Sequence, residues 1–481
     1  MKEYWRNHVD GKWIDGGAGV AEILNPATGA LLARHACADE SDIDLAVNAA
    51  MRVHRDGALS DMRPVERGRM VREMGRCLQS RKGEVARVLT LEQGKPLWEA
   101  EREVDGAARY FEYYGGQAET LEGRSIPLGA GHFDFTRLEP YGVSGQIIPW
   151  NFPLEIAARS LAAGLACGNA CVVKTSELSP CSSWIFAAAA EAAGLPAGAV
   201  NILCGRGGRA GASLSRHAGV NQIVFTGSVE TGISVAAAAA GNVVPCVLEL
   251  GGKSAAIVYE DADLDAFESD IRWGMFYNAG QVCSAMSRVL VHASLHGELV
   301  ERAREVASSM SVGPGIERVE AGLNMGSMIG EGQRDRAVEM VAGAAVQGAR
   351  VAAGGRPLNM PGAFMEPTVV VDVTPEMDIA RREVFGPVLS IMPFHDESRA
   401  IEIANGTGYG LAGGVFTRDL DRAARAAQKI RAGQVFVNQW FAGGVETPFG
   451  GYGKSGYGRE KGREALMNYV QTKNVAIKIS R

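Results

Sequence analysis

Long apolar runs are missing from this chain of 481 residues. The best candidates, 184-WIFAAAA-190 and 233-ISVAAAAA-240, stop well short of the ~18 residues that a membrane-spanning helix needs. Clustered basic residues are missing too. The net charge is −6, and no Lys/Arg stripe could track a phosphate backbone, which excludes nucleic acid as a partner. Cysteine is sparse: eight residues, at 37, 77, 167, 171, 181, 204, 246 and 283, with no C-x-x-C pair and no disulfide-framework spacing. Cys167 and Cys171 are four apart, but no histidine lies near them to complete a zinc set. The eight histidines are dispersed without an H-E-x-x-H, so no metal site is predicted. The start, MKEYWRNHVDGKWIDG, is charged and lacks an apolar h-region, which predicts a cytoplasmic protein with free thiols.

Glycine is abundant: 61 residues, well above the ~7% of average usage. The glycines follow no period, which predicts many tight turns and close backbone approaches. Hydrophobic residues make up 46% and charged residues 22%, an ordinary globular composition. The length is too great for one core and predicts two or three domains.

The first third reads as helical. Apolar residues at Val65, Met70, Val71, Met74 and Leu78 recur near 3.6 spacing, and 85–116 continues as helix with a break permitted at Gly94-Lys95-Pro96. From 141 short apolar runs alternate with helical stretches: 145-GQIIPW-150, 170-ACVVK-174, 199-AVNILC-204 and 221-NQIVFTG-227. A second alternating block follows 252, with 254-SAAIVYE-260, 287-SRVLVHAS-294, the helix 296–310 and 388-VLSIMPF-394. This pattern predicts an α/β protein with two doubly wound parallel-sheet lobes meeting near residue 251. Segments 132-HFDFTRLEP-140 and 469-YVQTKNVAIKIS-480 alternate polar and apolar residues. They read as a separate small β element, suited to a subunit contact.

Several short motifs compete for chemistry. Gly205, Gly207 and Ala210 match G-x-G-x-x-G/A only weakly, without an acid about 20 residues on. Gly252-Lys253-Ser254 and Gly453-Lys454-Ser455 fail as P-loops, because the required first glycine falls on Val247 and Pro448. A better phosphate site is 223-IVFTGSVETG-232, where Ser228 suits the N-cap of a helix whose free amides attract pyrophosphate. Glu249 stands at a strand end before two glycines. Asn151 occupies a turn bracketed by Pro149 and Pro153. Cys283 sits between a Gly-Gln turn and a strand-like VLV.

Together these pieces resemble the aldehyde dehydrogenase superfamily. Seven motifs carry the resemblance across nearly the whole chain: IIPWNFPL (147–154), VVKTSE (172–177), FTGSVETG (225–232), LELGGK (248–253), NAGQVC (278–283), EVFGPV (383–388) and PFGGYGKSGYGRE (448–460). The resemblance implies NAD-dependent oxidation of an aldehyde to the free acid. Cys283 matches the nucleophile, and Asn151 with the Cys283 N–H matches the oxyanion donors. Glu249 matches the water-activating base, a residue that acyl-transferring relatives lack. Glu460 matches a supporting acid, with Gln281 and Lys253 in the surrounding motifs.

For the cofactor, the resemblance places Ile147, Pro149, Trp150, Gly227 and Leu250 at the binding cleft. Lys174, counted also among the catalytic residues, and Glu177 match positions near the adenosine ribose. A carboxylate there accepts from a 2′-OH and repels a 2′-phosphate, which favours NAD over NADP. Ser228 matches the pyrophosphate contact, and Glu383 and Phe385 match the nicotinamide ribose and ring contacts. An atypical Rossmann lobe is implied, made of 1–118 and 141–251, with a catalytic domain 252–464 and oligomerisation strands 119–140 and 465–481. The implied assembly is a homodimer or homotetramer.

The substrate pocket is expected around loops 152–159, 282–286 and 439–449, where Phe152, Trp440 and Phe441 suggest an apolar lining. Arg159 stands where many relatives carry an aromatic residue. It either binds a distal carboxylate of a semialdehyde such as succinate semialdehyde or pairs with Glu155 one turn earlier. A silent protein that keeps the fold without catalysis is the rival from another class; the presence of Cys283, Glu249 and Asn151 argues against it.

Overall fold

The computed structural model describes residues 2–316 and 324–479. Residues 317–323 of the expected catalytic domain, and 480–481 of the expected oligomerisation strand, lie outside the described residues.

Two large sheets form the frame. The first runs, edge to edge, through Gly456–Tyr457, Cys246–Leu250, Gln222–Gly227, Val143–Ile147, Ala170–Thr175, Val200–Cys204, Asn7–Val9 and Lys12–Ile14. Its five central strands are parallel. They are buried on both faces and rich in Val and Ile, as strands covered by helices on each side must be. Their spatial order puts Val143–Ile147 in the middle, with the chain running outward first to one side and then to the other. The carboxyl ends around that switch point form the crevice where such sheets bind ligands. The second sheet runs through Arg350–Ala353, Thr368–Val371, Val388–Phe394, Arg288–His292, Ala255–Val258, Ala412–Phe416 and Gln434–Val437. It is parallel except at its first edge.

Each sheet has its own apolar core. One gathers residues up to Leu250, with Val445, Ala465, Leu466, Tyr469 and Val470; the other lies between Ala255 and Trp440. The alternation of sequence elements thus yields the two expected lobes. The chain returns to the first after residue 440, and the short strand Gly456–Tyr457 adds antiparallel to Cys246–Leu250.

A third sheet pairs His132–Pro140 with Val470–Lys478 in continuous antiparallel register, with Ser125–Ile126 at its edge. Phe133, Ile477 and Ile479 stay exposed on it.

The expectation of a helical first third needs correction. Residues 4–36 form five short strands before the first helix at Glu40–Arg55. Tyr4–Trp5, Asn7–Val9 and Lys12–Ile14 have too few residues to display the period-2 alternation by which strands are read, and Val20–Leu24 hides it by leaving apolar Val20 and Leu24 exposed. From Pro64 onward the helices stand as expected: Pro64–Ser80, Lys82–Gln93 and Leu97–Gln117. The break falls at Gly94, which has φ 96° and ends the second of them.

Candidate active site

The turn that carries Cys283 is held in an unfavourable backbone. Asn278 and Ala279 both adopt left-handed conformations, with φ 49° and 52°, where a Cβ is disfavoured. Strain of this kind persists only where surroundings over-determine it, and here they do. The Asn278 N–H donates to Glu99 Oε2 (3.0 Å), and Gln93 Nε2 donates to Asn278 Oδ1 (3.0 Å). Asn278 Nδ2 donates to the Asn151 carbonyl (3.0 Å). Gln281 Nε2 returns a bond to the Asn278 carbonyl (3.0 Å), while Gln281 Oε1 accepts from the Ile329 N–H (2.9 Å). Gly280 follows with φ 70°, and a Cβ there would lie 2.2 Å from the Gly386 carbonyl oxygen. Beyond the cysteine, Trp440 Nε1 donates to the Ser284 carbonyl (3.1 Å).

Asn151 is fixed from the other lobe. It begins the turn before the helix Pro153–Cys167, whose first amides, Leu154 and Glu155, donate to Glu103 Oε1 (2.8 and 3.3 Å). Glu103 is ion-paired with Lys95, and both side chains are fully buried. Lys95 also donates to the Asn151 carbonyl (2.9 Å). Asn151 Nδ2 donates to the Gln281 carbonyl (3.0 Å), which leaves its second amide proton for a ligand. Asn151 and Cys283 line one cavity of about 400 Å³.

Electrostatics set the resting protonation. Burial first, then Glu383 and Glu249, push the Cys283 thiol up to about 12, with Arg159 opposing. Glu249 is also raised well above the carboxylate range, by burial and by Glu460, against the pull of Arg159. Neither Glu249 oxygen has a hydrogen-bond partner. A buried carboxyl without partners holds its proton until the site changes. Nucleophile and base are therefore both neutral at rest. Alkylation of Cys283 by iodoacetamide in the unliganded enzyme is expected to rise about tenfold per pH unit between pH 7 and 10, following the thiolate fraction. A plateau below pH 9 in labelling resolved by peptide mass spectrometry would show that the thiol is not raised.

Glu249 is the last residue but one of the strand Cys246–Leu250, opposite Thr226, and Arg159 Nη2 donates to Thr226 Oγ1 (3.3 Å). The main partner of Arg159 is Glu460, a buried ion pair. Burial lowers the guanidinium's affinity for its proton, but Glu460 and Glu249 outweigh it and hold Arg159 charged above its ordinary value. Glu460 Oε1 further accepts from Ser160 Oγ (3.0 Å) and from the Tyr469 hydroxyl (3.1 Å). The expected Glu155–Arg159 pair does not form. Glu155 turns instead toward Tyr110, whose hydroxyl lies 3.5 Å from its Oε1. Arg159 also borders the cavity, with its charge balanced by Glu460 before any substrate arrives.

The cofactor candidates gather at the carboxyl ends of the first sheet. Ile147, Gly227 and Leu250 close their own strands, and Pro149 and Trp150 follow Val143–Ile147. Lys174 Nζ donates to Glu177 Oε2 (3.2 Å). Burial raises Glu177, but Lys174 and the Gly207 amide outweigh it and keep this half-buried carboxylate below its usual range. Ser228 caps the helix Val229–Ala240, accepting from the Thr231 N–H at 3.2 Å. The weak glycine motif 205–210 sits beside Glu177 through Gly207.

On the facing lobe, Glu383 accepts from the Gly252 N–H (3.2 Å), and burial raises it to about 7. Phe385, left-handed at φ 54°, meets Trp150 edge-on at 5.3 Å between ring centroids. Lys253 Nζ is buried without a hydrogen-bond partner, and burial lowers it to about 7. The Glu177 carboxylate and the capped helix N-terminus at Ser228, both beyond carboxyl ends of the first sheet, could hold a dinucleotide. Among the described residues no group of three or more His, Cys, Asp or Glu could hold a metal.

Phe152, Trp440 and Phe441 line the cavity. Phe152 stacks on Tyr277 at 5.8 Å. Sequence reasoning did not single out Lys95, Glu99 and Glu103. Their signal was present, since Glu99 and Glu103 lie on the same helix face as Ala100, Val104, Ala107 and Phe111, all buried. Carboxylates four apart on an apolar face require partners.

These features define an aldehyde-oxidising site, and comparison with known proteins agrees. The sequence profile of the Aldehyde dehydrogenase family matches residues 13–475. Human retinal dehydrogenase 2 is 38% identical over 481 residues, covering 99% of this chain and 92% of that protein. The mitochondrial benzaldehyde dehydrogenase of Antirrhinum majus is 39% identical, covering 98% and 89%. Among solved structures, the NAD+ complex of an aldehyde dehydrogenase from Bacillus cereus superposes with a TM-score of 0.97 at 36% identity, covering 99% and 97% of the two chains. The chain belongs to the aldehyde dehydrogenase family.

Proposed function

We propose that this enzyme oxidises an uncharged aldehyde to the free carboxylic acid with NAD. The observation that carries this reading is an unpartnered, buried Glu249 carboxyl beside a cysteine that shares its cavity with a half-satisfied Asn151 amide.

In the first step the Cys283 thiol releases its proton to water, the Sγ thiolate bonds to the aldehyde carbon, and the carbonyl oxygen takes up the displaced electron pair. The remaining Asn151 Nδ2 proton and the Cys283 N–H receive that oxyanion, each donor worth roughly 3–4 kcal/mol in the transition state. NAD, when bound, supplies the acceptor for the hydride that leaves the same carbon. The chain is then left as a Cys283 thioester. Glu249, once deprotonated, takes a proton from water; the hydroxide adds to the thioester carbon, the C–S bond breaks, and the thiolate departs with the acid released. Gly252 has no side chain because the Cys283 carbonyl oxygen would lie 2.6 Å from a Cβ there, so the base-bearing strand and the nucleophile loop can touch.

For the cofactor, Glu177 would receive the ribose hydroxyls and disfavour a 2′-phosphate, with Lys174 fixing it. Ser228 and Gly227 would take the pyrophosphate, while Ile147, Pro149, Trp150 and Leu250 shape the crevice floor. Glu383 and Phe385 would hold the nicotinamide end. In this reading the lobes act as NAD-binding and catalytic domains. The sheet of 125–140 and 470–478, with its exposed Phe133 and Ile477, joins subunits in a homodimer or homotetramer.

The test is Glu249→Gln. With benzaldehyde or hexanal it is expected to give a pre-steady-state burst near one NADH per site, followed by turnover slower by about 10²–10⁴-fold. Loss of the burst itself would remove Glu249 from the hydrolysis step.

A further inference from the structure

The cavity in front of Cys283 has two kinds of wall. One is aromatic: Phe152, Trp273, Tyr277, Trp440, Phe441 and Phe449. One corner is polar, made by Tyr110, Glu155 and Lys461. Arg159 also borders the space, but its charge is committed to Glu460. Arg102 is exposed and lies over the Trp273 ring at 5.2 Å.

Lys461 is the unspent group. It makes no hydrogen bond or ion pair among the described residues, and its ammonium lies 5.9 Å from the centre of the Phe449 ring. Its backbone is left-handed at φ 63°, a conformation a long side chain adopts only under constraint. The surrounding charges are Glu155 and Glu446, which favour its proton, and Arg159, which opposes it; burial lowers it overall. Glu155 has only a 3.5 Å contact from the Tyr110 hydroxyl. The corner thus offers donor capacity on Lys461 and acceptor capacity on Glu155, both incompletely used.

The charge balance decides what fits. A substrate carboxylate would face Glu155, and a quaternary ammonium would face Lys461 and Arg159. A neutral hydroxyl satisfies both partners at once, accepting from the ammonium and donating to the carboxylate. The aromatic walls favour a flat ring to carry it. We infer that Lys461 and Glu155 are specificity residues for an aromatic aldehyde bearing a hydroxyl group on the ring, a reading that rests on the aldehyde oxidation proposed above.

The test is a kcat/KM panel with NAD, with the acid product quantified by chromatography. The better of 3- and 4-hydroxybenzaldehyde is expected to exceed benzaldehyde at least about tenfold, the discrimination typical of a site built around a substrate hydroxyl. The matching methoxybenzaldehyde, which cannot donate to Glu155, should fall back to the benzaldehyde value. Lys461→Met and Glu155→Gln should each reduce the hydroxybenzaldehyde-to-benzaldehyde ratio at least about fivefold. Equal rates for hydroxylated and plain benzaldehyde in the unmodified enzyme overturn the inference, as does a ratio unchanged in Lys461→Met or a preference for 4-carboxybenzaldehyde. Acid formed from benzaldehyde or hexanal in those cases leaves the aldehyde reading standing. No acid from any aldehyde overturns that reading, and the inference with it.

Discussion

Cys283→Ala is expected to lose aldehyde oxidation by at least about 10⁴-fold, because no other group can form the covalent intermediate that splits the reaction into two accessible steps. The other seven cysteines cannot substitute. Cys167, Cys171, Cys181 and Cys204 are buried in the first core or at its strand ends, and burial raises all four thiols. Cys37 is buried at the end of a different strand, while Cys77 and Cys246 lie outside the cavity. The measurement is NADH and acid formation by the variant, together with loss of the burst. Residual turnover above a thousandth of the original would mean that the thiol is not the nucleophile.

The second large effect is on stability. Lys95→Met should destabilise the protein by about 3–5 kcal/mol, because it strands the Glu103 carboxylate in a fully buried site. Glu103 would keep the Leu154 and Glu155 amides but lose its counter-charge. Lys95→Met/Glu103→Gln should be milder, since the remaining group is neutral and still accepts from the helix amides. The exposed Arg76–Glu73 pair is the control: breaking it should cost at most about 1 kcal/mol. Denaturant midpoints of the four proteins decide. If Lys95→Met matches the surface control, the pair contributes nothing to the fold. The same variant removes one of the two donors to the Asn151 carbonyl, leaving only Asn278 Nδ2, so its oxidation rate should fall along with its stability.

Parts of this molecule could be read directly from the residues. The alternation after 141 produced both lobes because buried parallel strands are short, apolar and separated by helices of ordinary length. The cap at Ser228 was legible because one side chain and the helix after it settle the matter locally. Glu249, Asn151 and Cys283 come together only through the resemblance their motifs carry, since 132 residues separate the outer two and contact is a tertiary property. The strands of 4–36 escape such a reading because three of the five are too brief to show a period and Val20–Leu24 leaves apolar Val20 and Leu24 exposed. Arg159 was read against its helical neighbour Glu155, whereas its partner Glu460 lies 301 positions away on a segment that returns from the far lobe. Lys461 had no signal at all; a lysine after a glutamate looks like surface until the fold turns it into a cavity.

That returning segment has a mechanical meaning. Cys283 is rooted in the second core, next to Ala285 and Met286. Asn151 and Glu249 are rooted in the first, between residues such as Ile148, Leu154, Leu248 and Leu250. By adding Gly456–Tyr457 to the edge of the first sheet, the chain also fastens Phe449, Glu460 and Lys461 to that side. An acyl group on Cys283 is thus tethered to one body and walled by the other. A thioester on Cys283 would therefore lie across the seam between the two halves, a seam that the bonds from Asn151 to Gln281 and from Asn278 to Asn151 and Glu99 already hold shut.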